Sequence, residues 1–417
     1  MKNIIMIVLL FVCCCSSVFA CNSAIISGKA TPDGRPLLWK HRDAREQENQ
    51  LRFFHGEKHD FIGMVNTKDT KGTQVWMGSN DAGFSIMNTN AYNLNKEGYE
   101  DPMDQDGYFM KAALERCETI DDFEKYLEET NGKRGVMACF GVIDAKGGAA
   151  YFEADPFSFE KFDVNDPKTA PAGYLIRTNF AHSGKGPRGG GYIRYLTLEE
   201  IFFWSEKKNR LSLEFLLFEA TRCLEHAVLK TDLYTGDLPE NSSQTRMIPF
   251  RDYVVRFSSV SVMVVQGVKK GEDPRLTTLW SMTSFPLSCL TVPVWVGAGD
   301  RLPRMVTTTD DQPAPLSRMS LELKKRCFPL GVWEGKDYLN LAAVLNKKGD
   351  GILQKILPED RRNVSDALEL LSSWRKEGFQ GEEAKRFYNR LDAGIAAFYR
   401  DRFELGEKQE SKIKGVK

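Results

Sequence analysis

The sequence predicts an α+β layered fold, with antiparallel sheets packed between helical layers and a helical extension at the C-terminus. Three observations carry this. Short apolar runs separated by turn signals fill residues 21–90. Apolar spacing near 3.6 replaces them over residues 110–129, and strand-like runs return over residues 260–296 before the chain becomes helical and more charged from about residue 315. The 417 residues, 42% hydrophobic and 27% charged, are enough for a large core. Lys plus Arg equals Asp plus Glu at 57 each, which gives neither the basic footprint of a nucleic-acid binder nor an acidic tail. There is no internal repeat.

In chain order, residues 23–27 and 36–40 read as two strands joined by Thr31-Pro32-Asp33-Gly34, a strong turn signal, so the pair predicts a hairpin. Further strands are expected at 51–55, 61–65, 73–77 and 83–90, with Asn80-Asp81-Ala82-Gly83 as a turn. Helices follow at 110–117 and 121–129, the second with Thr119 as its N-cap. Residues 136–143 and 149–154 form a hairpin signal around Asp144-Ala145-Lys146-Gly147-Gly148, and 173–179 is another strand. Residues 192–204 and 211–228 read as helices, 260–268, 276–284 and 292–296 as strands, and 368–374 and 383–403 as the clearest late helical segments.

The N-terminus has the form of a secretory signal peptide: Lys2, an apolar run over residues 4–12, then Val18 and Ala20 at the −3 and −1 positions of a small-residue cleavage site. The cut falls before Cys21, and the expected location is secreted or periplasmic. The run is too short to span a bilayer, and no later stretch is apolar enough to do so. Cys21, as the first mature residue, has two readings. A lipoprotein cysteine normally follows Leu at −3 and a small residue at −2, where this chain has Val18 and bulky Phe19. The other reading is an N-terminal nucleophile whose own α-amine, with an ordinary pKa of ~7.7–8.0, serves as its base. The five histidines show no paired metal spacing, so no metal and no cofactor are expected. Cys117, Cys139, Cys223, Cys289 and Cys327 are irregularly spaced and read as buried small side chains rather than a disulfide framework.

If residues 31–34 turn the chain back, Lys40 and Asp43 come to lie beside Cys21. A cation there favours the thiolate, and a carboxylate can hold an ammonium or a thiol in place. Taken alone, Lys40 and Asp43 are ordinary strand-end charges. Their combination with an exposed Cys21 carries the specificity. Gly184 to Tyr192 is glycine-rich but lacks the spacing of a phosphate loop, and is expected to be a loop near the substrate mouth.

Cys21, the Asp33-Gly34 turn and Lys40-His41-Arg42-Asp43 together resemble the N-terminal nucleophile hydrolases, in particular the choloylglycine hydrolase and penicillin V acylase group and the isopenicillin N acyltransferase-like group. The acylases usually carry Arg where Lys40 stands, which tilts the resemblance toward the acyltransferase-like group. Asn80-Asp81-Ala82-Gly83-Phe84 followed by Asn90 resembles the segment whose asparagine donates to the oxyanion, and Thr178-Asn179 resembles the strand end whose asparagine faces the nucleophile. Arg194 is the candidate for the later active-site arginine, although alignment on the apolar residues puts Gly191 there instead.

The resemblance covers about residues 21–300 and implies a four-layer αββα sandwich, taken as residues 21–313 after the signal peptide at 1–20; residues 314–417 lie outside the resemblance and read as a helical extension packing on that domain. The resemblance also implies hydrolysis of a linear C–N amide through a Cys21 thioester, with Lys40, Asp43, Asn90, Asn179 and Arg194 in the site. The expected partner is a small-molecule amide such as an N-acyl amino acid, a bile-acid conjugate or a penicillin; nucleic acid and a membrane span are not expected, and homo-oligomerisation stays open. A dipeptidase of similar N-terminal architecture, an acyltransferase and a lipid-anchored binding protein are the alternatives. Water is favoured as acceptor, because an exported enzyme meets no coenzyme A thioester and the chain has no credible nucleotide motif.

Overall fold

A computed structural model describes residues 21–94, 105–310 and 312–406 of the protein. The expected signal peptide, residues 1–20, lies outside the described residues. The first hairpin forms as the turn chemistry requires. Strands β1 (Asn22–Ile26) and β2 (Leu37–Asp43) pair antiparallel, with Ser23 opposite Lys40 and Asn22 opposite His41. The turn between them needs Gly34, whose φ of +74° suits glycine.

The next seven strands make an antiparallel meander in sequence order: β3 (Asn49–Phe54), β4 (Phe61–Asn66), β5 (Met77–Asn80), β6 (Ser85–Asn90), β7 (Ala138–Ile143), β8 (Ala149–Ala154) and β9 (Phe159–Asp163). The chain then returns to the first sheet through β10 (Tyr174–Arg177). After two short pairs, β11 (Glu225–His226) with β12 (Thr231–Asp232) and β13 (Met247–Pro249) with β17 (Tyr338–Asn340), that sheet is completed by β14 (Ser259–Gln266), β15 (Thr278–Met282) and β16 (Val292–Val294). Its order is β10-β1-β2-β14-β15-β16, so β2 and β14 are central and β1 is an interior strand.

The sheets face one another. Ser23 of β1 meets the Tyr151 hydroxyl of β8 at 2.9 Å, and Lys40 of β2 reaches Asn88 of β6. Helices α1 (Asp106–Arg116) and α2 (Ile120–Glu129) cover the outer face of the seven-stranded sheet, where Phe109, Phe123, Phe140 and Phe152 form an aromatic core. The outer face of the six-stranded sheet is covered by α3 (Tyr192–Lys207) and by C-terminal helices: α4 (Pro315–Cys327), the single turn α5 (Leu341–Val344), α6 (Ile352–Glu377) and α7 (Gly381–Phe403). The result is the α+β, four-layer αββα arrangement the sequence predicts. The C-terminal helices share a buried core with the sheet: Trp295 packs on Trp374 of α6 and Tyr388 of α7. No helix among the described residues is long and apolar enough to cross a membrane.

Thr119 caps α2 as expected, in a reciprocal capping box with Asp122. The expected strand at 73–77 instead starts at Met77. Asp69 captures the Thr73 hydroxyl and the Gln74 amide, and the Val75 amide goes to Gly107, which removes those residues from the ladder. The expected helix over 211–228 shrinks to a π-helical segment, Phe215–Ala220. Arg222 is fully buried just past it and spends its guanidinium on the Leu217, Pro286 and Cys289 carbonyls and on Asp360. Strand β9 had no sequence signal, since its Phe159 and Phe162 are only half-buried and three positions apart, with exposed Glu160 and Lys161 between them. The six cysteines Cys21, Cys117, Cys139, Cys223, Cys289 and Cys327 are all free and buried.

Candidate active site

The polar end of β2 marks the site. A central strand buried along its length is cheapest when apolar, yet Lys40, His41, Arg42 and Asp43 are all buried at its C-terminal end. Alternation along the strand sends Lys40 and Arg42 between the sheets, where Arg42 lies 4.5 Å over the Trp76 ring and bonds Asn49, while Trp39 turns to Thr221 and Phe202 on the helical side.

These groups line a cavity of about 560 Å³, and Cys21 is in its wall together with Lys40, Asp43, Asn88, Asn90 and residues 44–48. Four of the six residues selected from the sequence, Cys21, Lys40, Asp43 and Asn90, therefore share one cavity. Asn179 and Arg194 meet Cys21 from behind. The Cys21 nitrogen donates to Asn179 Oδ1 at 3.0 Å, and Asn179 Nδ2 donates to the Asn90 carbonyl at 3.1 Å. Arg194 donates to the Cys21 carbonyl at 2.9 Å, to Asn179 Oδ1 at 2.9 Å and to Asn22 Oδ1. Burial, then the neighbouring Arg256, push the Arg194 guanidinium down to about 9, so it stays charged at neutral pH. Gly191 permits this approach: its φ is +73°, and a Cβ there would stand 2.2 Å from Arg194 Nη2. Glycine at 191 and arginine at 194 thus both serve the site, one by yielding space and the other by filling it.

Lys40 Nζ is bonded to the Trp76 carbonyl at 2.8 Å and to Asn88 Oδ1, and Asn88 Nδ2 continues to Asp106 Oδ2 at the start of α1. Asn88 is thereby committed to Lys40 and Asp106, while Asn90, two residues on along β6 at the strand end, also lines the cavity.

Asp43 is gripped by a residue that sequence reasoning missed. Arg256 places Nε at 3.0 Å and Nη2 at 2.6 Å from Asp43 Oδ2, and the Ser259 hydroxyl donates to Oδ1 at 2.7 Å. The one local signal was an arginine three residues before the apolar strand β14, which is weak. His41, next to Asp43, is fully buried with neither ring nitrogen hydrogen-bonded among the described residues. Burial pushes it down to about 4, so it is neutral at neutral pH. The glycine-rich segment after Asn179 packs on the site, with the Asn179 amide donating to the Gly190 carbonyl at 3.1 Å.

No protein-family model and no curated protein sequence matches the chain. Among solved structures, it is similar to an N-acylethanolamine-hydrolyzing acid amidase ortholog of Caenorhabditis elegans at 13% identity, over 48% of this chain and 86% of that one, with a TM-score of 0.34. A variant of conjugated bile acid hydrolase from Clostridium perfringens is 11% identical over 66% of this chain and 92% of that one, with a TM-score of 0.38. Penicillin V acylase from Agrobacterium tumefaciens is 10% identical over 66% and 86%, with a TM-score of 0.33.

Proposed function

We propose that this protein is an exported amidohydrolase of linear C–N amides that uses Cys21 as an N-terminal nucleophile after cleavage of residues 1–20. The observation that carries the reading is the placement of Cys21 in the wall of the one cavity that also holds Lys40, Asp43 and Asn90, with its nitrogen fixed by Asn179. Released from Ala20, that nitrogen is an α-amine beside its own thiol. It takes the thiol proton as sulfur attacks the amide carbon, and the leaving amine receives the proton as the C–N bond breaks. Water then hydrolyses the thioester by the reverse proton path.

Charge on the tetrahedral oxygen calls for preorganised donors. Asn90 lines the cavity and its carboxamide is the proposed donor, and Asn179 has a second N–H beyond the one given to the Asn90 carbonyl. The Asn179 oxygen holds the amine in place, and Arg194 holds that oxygen in turn. Lys40 adds positive potential to the cavity, and Asp43, neutralised by Arg256, anchors the end of β2. The lipid-anchor alternative is disfavoured by the burial of Cys21, only 8% exposed, because an anchoring sulfur has to reach a bilayer outside the protein.

Substrates in reach are N-acyl amino acids, bile-acid conjugates and penicillin-like amides, with water as the main acceptor. The test offers the exported, purified protein a panel of such amides with and without excess competing amine, and quantifies free acid and transferred product by mass spectrometry. Free acid as the main product supports hydrolysis; predominant transfer at modest amine concentration would make the protein an acyltransferase. Turnover of dipeptides alone would make it a dipeptidase.

A further inference from the structure

One side chain from the C-terminal helices reaches the back of the cavity. Lys324 of α4 is only 4% exposed, and its ammonium donates to the Ser259 carbonyl at 3.1 Å and to Gln47 Oε1. It also lies 4.9 Å from the Phe257 ring and 5.0 Å from Phe285. Each acceptor belongs to the site. Ser259 is the residue whose hydroxyl holds Asp43, and Gln47 lies in the 44–48 segment that forms one wall of the cavity. Gln47 passes the contact on, its Nε2 donating to the Ala44 carbonyl at 3.2 Å, and the Ala44 amide donates to the Ser258 carbonyl at 2.9 Å. A path of hydrogen bonds thus runs from α4 through Gln47 to the cavity wall and back to the strand that clamps Asp43. Burying an ammonium so completely is expensive, and burial pushes Lys324 down to about 7, whereas an apolar side chain would serve packing of α4 alone.

We infer that Lys324 is a positioning residue that makes the C-terminal extension part of the substrate site, fixing the 44–48 wall through Gln47 and Ser259 and so setting which amides fit. This rests on the amidohydrolase reading above. It assigns a role to residues of the extension for which the sequence offered none.

The test compares Lys324→Met, Gln47→Ala and, as a control on the solvent side of α4, Lys325→Ala. Hydrogen–deuterium exchange of the full mature chain reads the wall directly. Exchange over residues 44–48 should quicken by about tenfold in Lys324→Met and Gln47→Ala, with α4 and β14 still protected and Lys325→Ala like wild type. On a series of N-acylglycines of increasing chain length, read as released glycine, KM should rise about tenfold with kcat within about twofold. Unchanged exchange at 44–48 in a folded Lys324→Met variant overturns the inference, as does a fall in kcat that merely tracks loss of folded protein. If Lys324→Met does not fold, Gln47→Ala decides by the same two readouts. Failure of wild type to cleave any amide counts against the amidohydrolase reading, and the exchange measurement still decides the positioning role.

Discussion

Cys21 and Asn179 are 158 residues apart in sequence, yet the nitrogen of the first donates to the side-chain oxygen of the second at 3.0 Å. Arg194 approaches the same oxygen, so a single carboxamide orients the nitrogen of the proposed nucleophile and is itself held by a buried cation. On the proposed mechanism that nitrogen is the base, and it is held without a histidine.

Maturation and the nucleophile come first. The exported chain should begin at an unmodified Cys21, by intact mass and N-terminal sequencing, and retaining any residue before it should abolish activity. Cys21→Ala should lose turnover and iodoacetamide labelling of the N-terminal peptide with the melting temperature nearly unchanged, since one sulfur atom at a chain end contributes little core. Hydrolysis persisting in the alanine variant, or a diacylglyceryl mass on Cys21, would exclude the mechanism.

The two asparagines separate by what each does. Removing one oxyanion donor typically lowers kcat about 100- to 1,000-fold, and Asn90→Ala should do so with thermal stability preserved. Asn179→Asp keeps the oxygen that Cys21 and Arg194 use but removes the donor to Asn90, and should also be slow. Single-turnover acylation rates against melting temperature check both; activity lost only in step with folded protein would make them structural caps.

Arg256 should matter for folding as much as for chemistry. Arg256→Ala leaves the Asp43 carboxylate, 1% exposed, without its guanidinium and should cost about 3–5 kcal/mol. Combining it with Asp43→Asn should cost less than the sum of the two, as a double-mutant cycle in chemical denaturation will read.

His41 predicts an acid sensitivity. Its pKa falls from 6.5 in the unfolded chain to about 4 in the fold, so the unfolded state binds the proton first as pH drops. The stability it contributes is complete above pH 6.5 and is lost as pH falls through about 4, a total of about 3 kcal/mol. His41→Leu should flatten the urea midpoint over that window relative to wild type. An equally steep loss in the leucine variant would assign the sensitivity to other groups.

What could be read from the chain alone was local. The Asp33-Gly34 turn sets the first hairpin, and a hairpin brings its strand ends together without help from the rest of the chain, which is why Lys40 and Asp43 could be placed near Cys21. Thr119 was legible as a cap because its partner, Asp122, is three residues away. The family resemblance, carried by motifs of a few residues each, added Asn90, Asn179 and Arg194. Only the tertiary structure decided which groups hold these in place. Arg256 reaches Asp43 across 213 positions, through the pairing of β14 with β2, and Lys324 of α4 reaches Gln47, in the segment after β2, across 277. It also decided that Asn88 is tied up by Lys40 and Asp106, and that buried Arg222 pairs with Asp360 across 138 positions. The physical reason is common to all of these: a buried charge must find its partner among whatever the fold brings near, and sequence spacing carries no record of that neighbourhood.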